Sequence, residues 1–270
     1  MQQPTSSPDE HRPPALVVKI GGSVLGNQDT TLEDLVALQQ KGSIPVVVHG
    51  GGQVISQWME KQGALPRFVR GLRVTDAPSM EIVVAVLGGL VNKNLVASIQ
   101  RLGGRALGMS GVDGGMLEAE ILNPDLGYVG QVLHVDTAPI RQALDAGYIP
   151  VIAPVALHVM DSSEHSGVLL NINGDTAAGE IARALEAEAM VFLTDVEGVM
   201  DSSRRLLARL TPSQGAALVR SGVIAGGMVP KVEACLRALE TAKLAQIMDG
   251  RSSRSLLDFV EGQPSGTRIG

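Results

Sequence analysis

Cysteine is almost missing: Cys235 stands alone in 270 residues, which excludes an internal disulfide framework and says nothing about compartment. Aromatic residues make up only 2 % of the chain, so the core has to come from Val, Ile, Leu and Ala. No basic stripe occurs, and 22 Lys and Arg against 28 Asp and Glu leave a net charge of −6. That balance argues against a general nucleic-acid binder. An acidic chain with an anionic substrate must instead gather positive charge locally. No apolar run approaches the ~20 residues that span a bilayer. Residues 1–15 hold prolines, serines and charges without the apolar stretch of a secretory signal, which predicts a disordered arm on a cytoplasmic protein. Solenoid-length repeats, low-complexity linkers, zinc-ligand spacing and a nucleophile elbow are also lacking.

What the chain has is glycine, 32 of them, in a sequence that is 44 % apolar. This profile suits many strand-to-helix turns, and the length allows a full α/β core in one large domain or two fused lobes. The central stretch is Val46-Val47-Val48-His49-Gly50-Gly51-Gly52. Three β-branched residues predict a buried parallel strand. The apolar spacing of Val54, Ile55, Trp58 and Met59 predicts a helix directly after the glycines. A strand that turns through glycines into a helix start offers bare N–H groups to an anion, or is simply a tight turn. It is neither a Walker A loop, since no Gly-Lys-Ser/Thr follows, nor a G-x-G-x-x-G turn. His49 reads as a packing or hydrogen-bonding residue, and His11, His134, His158 and His165 read as surface residues.

Leu16–Ile20 forms the first predicted strand, ended by Gly21-Gly22. Lys19 within it either projects into a ligand crevice at the strand's carboxyl end or faces water from an edge. A short helix is expected over 31–40. The extended segment 68–76 carries Arg73 between apolar neighbours, positioned to grip a carboxylate or to lie solvated on a hairpin. Residues 78–101 predict one long helix whose apolar surface exceeds one core's need, with Gly88-Gly89 permitting close approach of another backbone. That surface is either a self-association face or a buried one. Strands and turns follow over 105–133, a helix over 137–147, a strand over 149–155 and a polar surface turn over 161–167.

Asn171 and Asn173 alternate with apolar residues and share one face. Asp175 then opens an alanine-rich helix, as its N-cap or as part of a polar ligand site. A strand from Val191 ends in a tight turn through Val199, and helices are expected over 212–220 and from Gly226 to about residue 243. Lys231 near the start of the last one opposes the helix dipole, which an anion would explain better than helix stability. A last strand covers 245–250.

Six separated motifs, Lys19-Ile20-Gly21-Gly22, His49-Gly50-Gly51-Gly52, Gly71 to Asp76, Asn171 to Asp175, Thr194 to Val199 and Gly226 to Val232, together resemble the amino-acid kinase family. The likeness runs from about Leu16 to Ile269. It implies a three-layer αβα sandwich around a mainly parallel open sheet. About 16–170 would bind substrate and dimerise, and about 171–270 would bind nucleotide. It further implies ATP with Mg2+ as phosphoryl donor, N-acetyl-L-glutamate as acceptor through its γ-carboxylate, and a homodimer through the 78–101 helix. By the same resemblance, Lys19 and Lys231 flank the transferring phosphoryl group and Asp175 orients both. Gly21, Gly22, Gly51 and Gly52 offer backbone N–H groups, Gly51 and Gly52 beside the acceptor. Arg73 and Asn171 bind the acetylated amino acid. Asp195, Gly198, Val199, Gly227 and Met228 line the nucleotide pocket, and no protein metal ligand is implied. Two rivals predict different residues. A kinase for glutamate or aminoadipate carried on a small acidic protein needs a basic rim and a changed Gly71-Leu72-Arg73. A silent amino-acid sensor could dispense with Lys19, Lys231 or Asp175. This chain keeps all of them and shows no basic cluster.

Overall fold

The computed structural model describes residues 15–22, 30–159, 168–263 and 265–270. The expected arm, apart from Ala15, and the expected turn at 161–167 lie outside the described residues, as do His11 and His165. Eight strands form the main sheet, in the order Arg209–Leu210, Thr267–Ile269, Leu244–Asp249, Ala189–Thr194, Leu16–Ile20, Val46–His49, Ile149–Ala153 and Ala106–Ser110. All neighbouring pairs are parallel except Leu244–Asp249 with Thr267–Ile269. The ladder Leu16↔Ala189 to Ile20↔Leu193 joins the first strand to one far along the chain, so a division near residue 170 leaves the sheet continuous.

Alternation along these strands sends side chains to two cores, one on each face. Val17, Val46, Val48 and Phe192 pack with Ala177, Ala178, Ile181, Val232 and Cys235 of the helices Gly174–Ala184 and Met228–Ala238. Val18, Ile20, Val47 and Val191 pack with Leu35, Leu38, Leu95, Ile99 and Leu256 on the opposite face. Helices on both faces of a mostly parallel sheet give the three expected layers. The scarcity of aromatics is matched by small residues at helix crossings. A Cβ on Gly179 would stand 2.8 Å from the carbonyl oxygen of Ala234, so only glycine lets these two helices approach.

A second sheet, Leu169–Asn171, Val155–His158, Leu117–Ile121 and Gly130–Val135, packs beside the first. His158, expected at the surface, is buried there, because the last position of its strand faces into the molecule. The hairpin Phe68–Val69/Leu72–Arg73 turns through Arg70 (φ 49) and Gly71 (φ 82), both left-handed, as a two-residue type I′ turn requires. The predicted helix over 78–101 is present as Ala77–Arg101, with a π-helical stretch at Ala85–Val91. By length and apolarity alone its 25 residues could cross a membrane, yet Val83, Val86, Leu95 and Ile99 are core residues. The helix expected to run to about 243 ends at Ala238, and the tail adds an unforeseen strand, Thr267–Ile269, between Arg209–Leu210 and Leu244–Asp249.

Candidate active site

Parallel strands bring their carboxyl ends to one edge, where open α/β sheets bind ligands. Ile20 pairs with both His49 and Leu193, so the Gly21-Gly22 and Gly50-Gly51-Gly52 turns leave adjacent strands side by side. The nitrogen of Gly51 lies 3.7 Å from where a Cβ on Gly22 would stand. A cleft of about 220 Å³ opens there, lined by Lys19, Gly22, the Gly50–Gly52 turn, Leu72, Arg73, Asn171, Asn173 and Asp175. Gly21 departs from expectation. Its N–H continues the ladder by donating to the Leu193 carbonyl at 3.1 Å, so it is not aimed at the cleft. Among the described residues the N–H groups of Gly51 and Gly52 have no backbone acceptor, as befits the open start of the helix Gly52–Lys61.

At the cleft floor Asp175 bridges two lysines. Lys19 Nζ is 2.5 Å from Asp175 Oδ1 and Lys231 Nζ is 2.8 Å from Oδ2. Asp175 does not cap its helix. Asn173 does, its Oδ1 accepting the N–H groups of Asp175 and Thr176 at 2.9 and 3.1 Å, which frees the carboxylate to hold the lysines. Burial works to raise the Asp175 pKa, but the two ammonium groups overcome it and hold the carboxyl below its ordinary 3.8. Burial lowers Lys19 from 10.5, against the opposing pull of Asp175. Two cations share one anion, and Lys19 of the pair lines the cleft.

The second grip is Arg73. It is only 7 % exposed, and no acidic side chain among the described residues pairs with it. Its Nη2 donates to the Gly52 carbonyl at 2.6 Å and to Ser56 Oγ at 2.8 Å, and the Phe68 ring lies 4.7 Å from its guanidinium carbon. Burial without a counter-ion lowers its pKa from 12.5 and makes an anionic ligand favourable there. Asn171 Nδ2 donates to Thr75 Oγ1 at 3.1 Å, and Thr75 donates onward to the Arg73 carbonyl at 2.9 Å. Ser56, Phe68, Thr75 and Asn173 carried no assigned site role in the sequence, although Thr75 lies in the Gly71 to Asp76 motif and Asn173 alternates with Asn171.

A wider cleft of about 710 Å³ continues between Asn173, Thr176, Gly226 and Gly227. Gly227 therefore borders the site, while Met228 is half-buried against the core. That cleft does not reach Asp195, Gly198 or Val199. Asp195 is exposed after Thr194, whereas Val199 is fully buried and donates its N–H to Thr267 Oγ1 at 2.8 Å. Gly198 is pressed on the same hydroxyl, 2.6 Å from where its Cβ would be. These two shape a turn and present no polar side chain.

A cation-lined cleft at the carboxyl edge of an open sheet defines an anion-handling α/β enzyme. The chain belongs to the amino acid kinase family, whose sequence profile matches residues 14–249. It is 44 % identical over 94 % of both chains to a Dehalococcoides mccartyi protein named acetylglutamate kinase. Among solved structures, smu.665 of Streptococcus mutans superposes with a TM-score of 0.79 at 29 % identity, over 94 % of this chain and 98 % of that one. Carbamate kinase of Giardia lamblia, bound to AMP-PNP, shares the fold with a TM-score of 0.70 at 17 % identity, over 95 % of this chain and 98 % of that one.

Proposed function

We propose that the protein transfers the γ-phosphoryl group of ATP to the γ-carboxylate of N-acetyl-L-glutamate, giving N-acetylglutamyl 5-phosphate, as a cytoplasmic enzyme of arginine biosynthesis. The observation that carries this reading is the pair of cation sites in one cleft, Lys19/Lys231 about Asp175 and the unpaired Arg73. The acceptor carboxylate is ionised at neutral pH and attacks phosphorus directly. One O–P bond forms, the bond to the leaving ADP breaks, and no proton needs removal. Catalysis is then alignment and charge neutralisation. Lys19 and Lys231 sit on the transferring phosphoryl oxygens, and Asp175 keeps the two ammonium groups apart and aimed. Gly22, Gly51 and Gly52 supply backbone N–H groups. Arg73 takes the α-carboxylate, and Asn171 faces the acetylamino group. The nucleotide lies toward Gly227, Met228 and the turn of Asp195, Gly198 and Val199, within a lobe of about 171–270.

Mg2+ enters with ATP as part of the substrate. Both Asp175 oxygens are occupied by lysines, and no cluster of three acidic, His or Cys groups occurs among the described residues. A cation held through substrate phosphates fits this donor set. A homodimer through the helix of 77–101 fits its exposed Ala85, Gly89 and Leu90, and the open space beyond Gly88 and Gly89.

The test is ATP-dependent acyl-phosphate formation trapped with hydroxylamine, comparing N-acetyl-L-glutamate with free glutamate and N-acetylaspartate. Hydroxamate from N-acetyl-L-glutamate alone is expected. Equal turnover of free glutamate, or none on any acceptor while ATP binds, overturns the assignment.

A further inference from the structure

We infer that Asn92, acting through His49, is a positioning residue that fixes the Gly50–Gly51 peptide so that the Gly51 N–H faces the phosphoryl cleft. This rests on the kinase reading above and adds two residues that touch no substrate. Asn92 and His49 are both fully buried. The Asn92 amide is oriented by its partners. Its Nδ2 donates to the Val151 carbonyl at 2.8 Å, with the Met109 carbonyl at 3.3 Å, while its Oδ1 accepts from Lys93 Nζ at 2.9 Å. Carbonyls on one side and an ammonium on the other leave no choice of flip.

One of the two Nδ2 hydrogens goes to Val151, and the other has His49 Nε2 at 3.2 Å as its nearer acceptor, Met109 being the longer contact, so that ring nitrogen is bare and accepts. The ring proton then sits on Nδ1, which donates to the Gly50 carbonyl at 2.8 Å. Burial keeps the ring neutral, its pKa lowered to about 4. Both nitrogens are engaged, so the imidazole is not a proton-transfer group. Because a trans peptide is planar, pinning the Gly50 carbonyl points the Gly51 N–H the opposite way. Gly50's own N–H is already used by the Ile20 carbonyl, which makes Gly51 the first N–H of the turn open to a ligand.

Neighbouring positions make room for this relay. A Cβ on Gly108 would overlap Asn92 Oδ1, and a Cβ on Gly51 would stand 2.6 Å from Leu87 Cδ2. Leu87 lies in the π-helical stretch that ends immediately before Asn92. Each π turn inserts one extra residue into a helix, and here it sets the register at which Leu87 meets Gly51 while Asn92 meets His49.

The experiment combines ring-15N spectra of the histidines with steady-state kinetics on Asn92→Asp, His49→Asn and His49→Leu. The unsubstituted protein is expected to show His49, identified by its loss in His49→Leu, with the proton on Nδ1. Asn92→Asp turns the donor to Nε2 into an acceptor and should move the proton to Nε2. It should lower kcat about tenfold or more while the KM for ATP stays within about twofold, a fraction of the loss from deleting an oxyanion donor. His49→Asn places an amide N–H where Nδ1–H was and should restore most of the turnover that His49→Leu loses. A His49 proton on Nε2 in the unsubstituted protein overturns the relay, as does native kcat in both Asn92→Asp and His49→Leu. Absence of turnover in the unsubstituted protein counts against the kinase reading, and the tautomer still decides the relay.

Discussion

Two ion clusters sit on the same pair of helices, Gly174–Ala184 and Met228–Ala238, and they are built differently. Near the amino ends, Asp175 faces Lys19, both buried, and Lys231, which is partly buried. Further along, Glu180 meets Arg183 at 3.0 Å and Arg237 at 2.8 Å, and Arg237 meets Glu240 at 2.6 Å. The second cluster sets two acids against two bases and is closed in charge. The first sets one acid against two bases in a cleft, and its deficit is filled only by an incoming anion. A buried cluster that ties off its charges holds helices together, and one that leaves a charge over is built for a ligand. Arg73, buried without an acidic partner among the described residues, extends the same principle to the end of the cleft proposed for the acceptor.

Removing the deficit should cause the largest effect. In Lys231→Ala the remaining Lys19–Asp175 pair is neutral, and the protein keeps only backbone N–H groups against the charge developing on the phosphoryl oxygens. Turnover should fall on the order of 10²–10³, as when a preorganised donor is deleted. Asp175→Ala should fall comparably, through misplaced ammonium groups and without any change in the protonation of the acceptor. Hydroxylamine-trapped steady-state rates decide both, and near-native turnover in either removes the assigned roles. Arg73→Lys tests the other grip. Its fork loses the Gly52 and Ser56 bonds and bidentate contact with a carboxylate. The KM for N-acetyl-L-glutamate should rise about tenfold or more with kcat nearly kept, the mark of lost uniform binding.

The pH dependence sharpens the contrast. Lys19 in the folded protein gives up its proton below the ordinary 10.5, because burial disfavours the ammonium. Between the folded value and 10.5 the unfolded chain binds more protons, so stability rises with pH there. Turnover should move the opposite way, falling on an alkaline limb below 10.5 as the ammonium is lost. Lys19→Arg should carry that limb upward at some loss of kcat, since guanidinium does not titrate in this range. Asp175, whose pKa is lowered too, gives a slope of the same sign in an acid window, though there the shift stabilises the fold because it favours the charged form. Its stabilisation is full above the unfolded 3.8 and is lost as pH falls through its lower folded value. A kcat–pH profile of both proteins reads the alkaline limb directly.

The separate parts of the site were legible in the residues themselves, and their meeting only through the family resemblance. Lys19 stood out as a charge between Val18 and Ile20 in an otherwise apolar strand, and Lys231 as a cation at the wrong end of a helix. That both reach Asp175 depends on helices packing at the glycine contact of Gly179 with Ala234, which no local pattern encodes. The cap illustrates a local competition. In Asn173-Gly174-Asp175 either polar residue could close the helix start, and the backbone settled on Asn173. Gly21 was misread because a ladder partner, Leu193, lies far along the chain. His158 stands between the apolar Leu157 and Val159, and its reading as a surface residue rested on residue type alone, whereas its strand end turns inward. The parallel strands at the centre of the sheet were legible because they are short and mostly apolar, whereas Thr267–Ile269, antiparallel to Leu244–Asp249, carries Arg268 and reads as tail.

The smallest effect should come from loosening the closed cluster. Glu240 is about half exposed, touches Arg237 at 2.6 Å and lies 3.9 Å from Arg183. Glu240→Gln removes one charge but leaves Glu180 between the two arginines, where the inner bonds at 2.8 and 3.1 Å persist. Exposed ion pairs contribute about 0.2–1 kcal/mol, and less in salt. For a chain of this size that is a fall of a few degrees in melting temperature at most. Because no anion is required to balance this cluster, kcat and both KM values should stay native. Gly179→Ala, which drives a methyl into the helix crossing between the clusters, should cost more, about 1–3 kcal/mol, and disturb Lys231 as well. Thermal melts beside kinetics separate the two cases. A Glu240→Gln protein with native stability but impaired turnover would show that the outer cluster serves the reaction, and would end the distinction between a closed cluster and an open one.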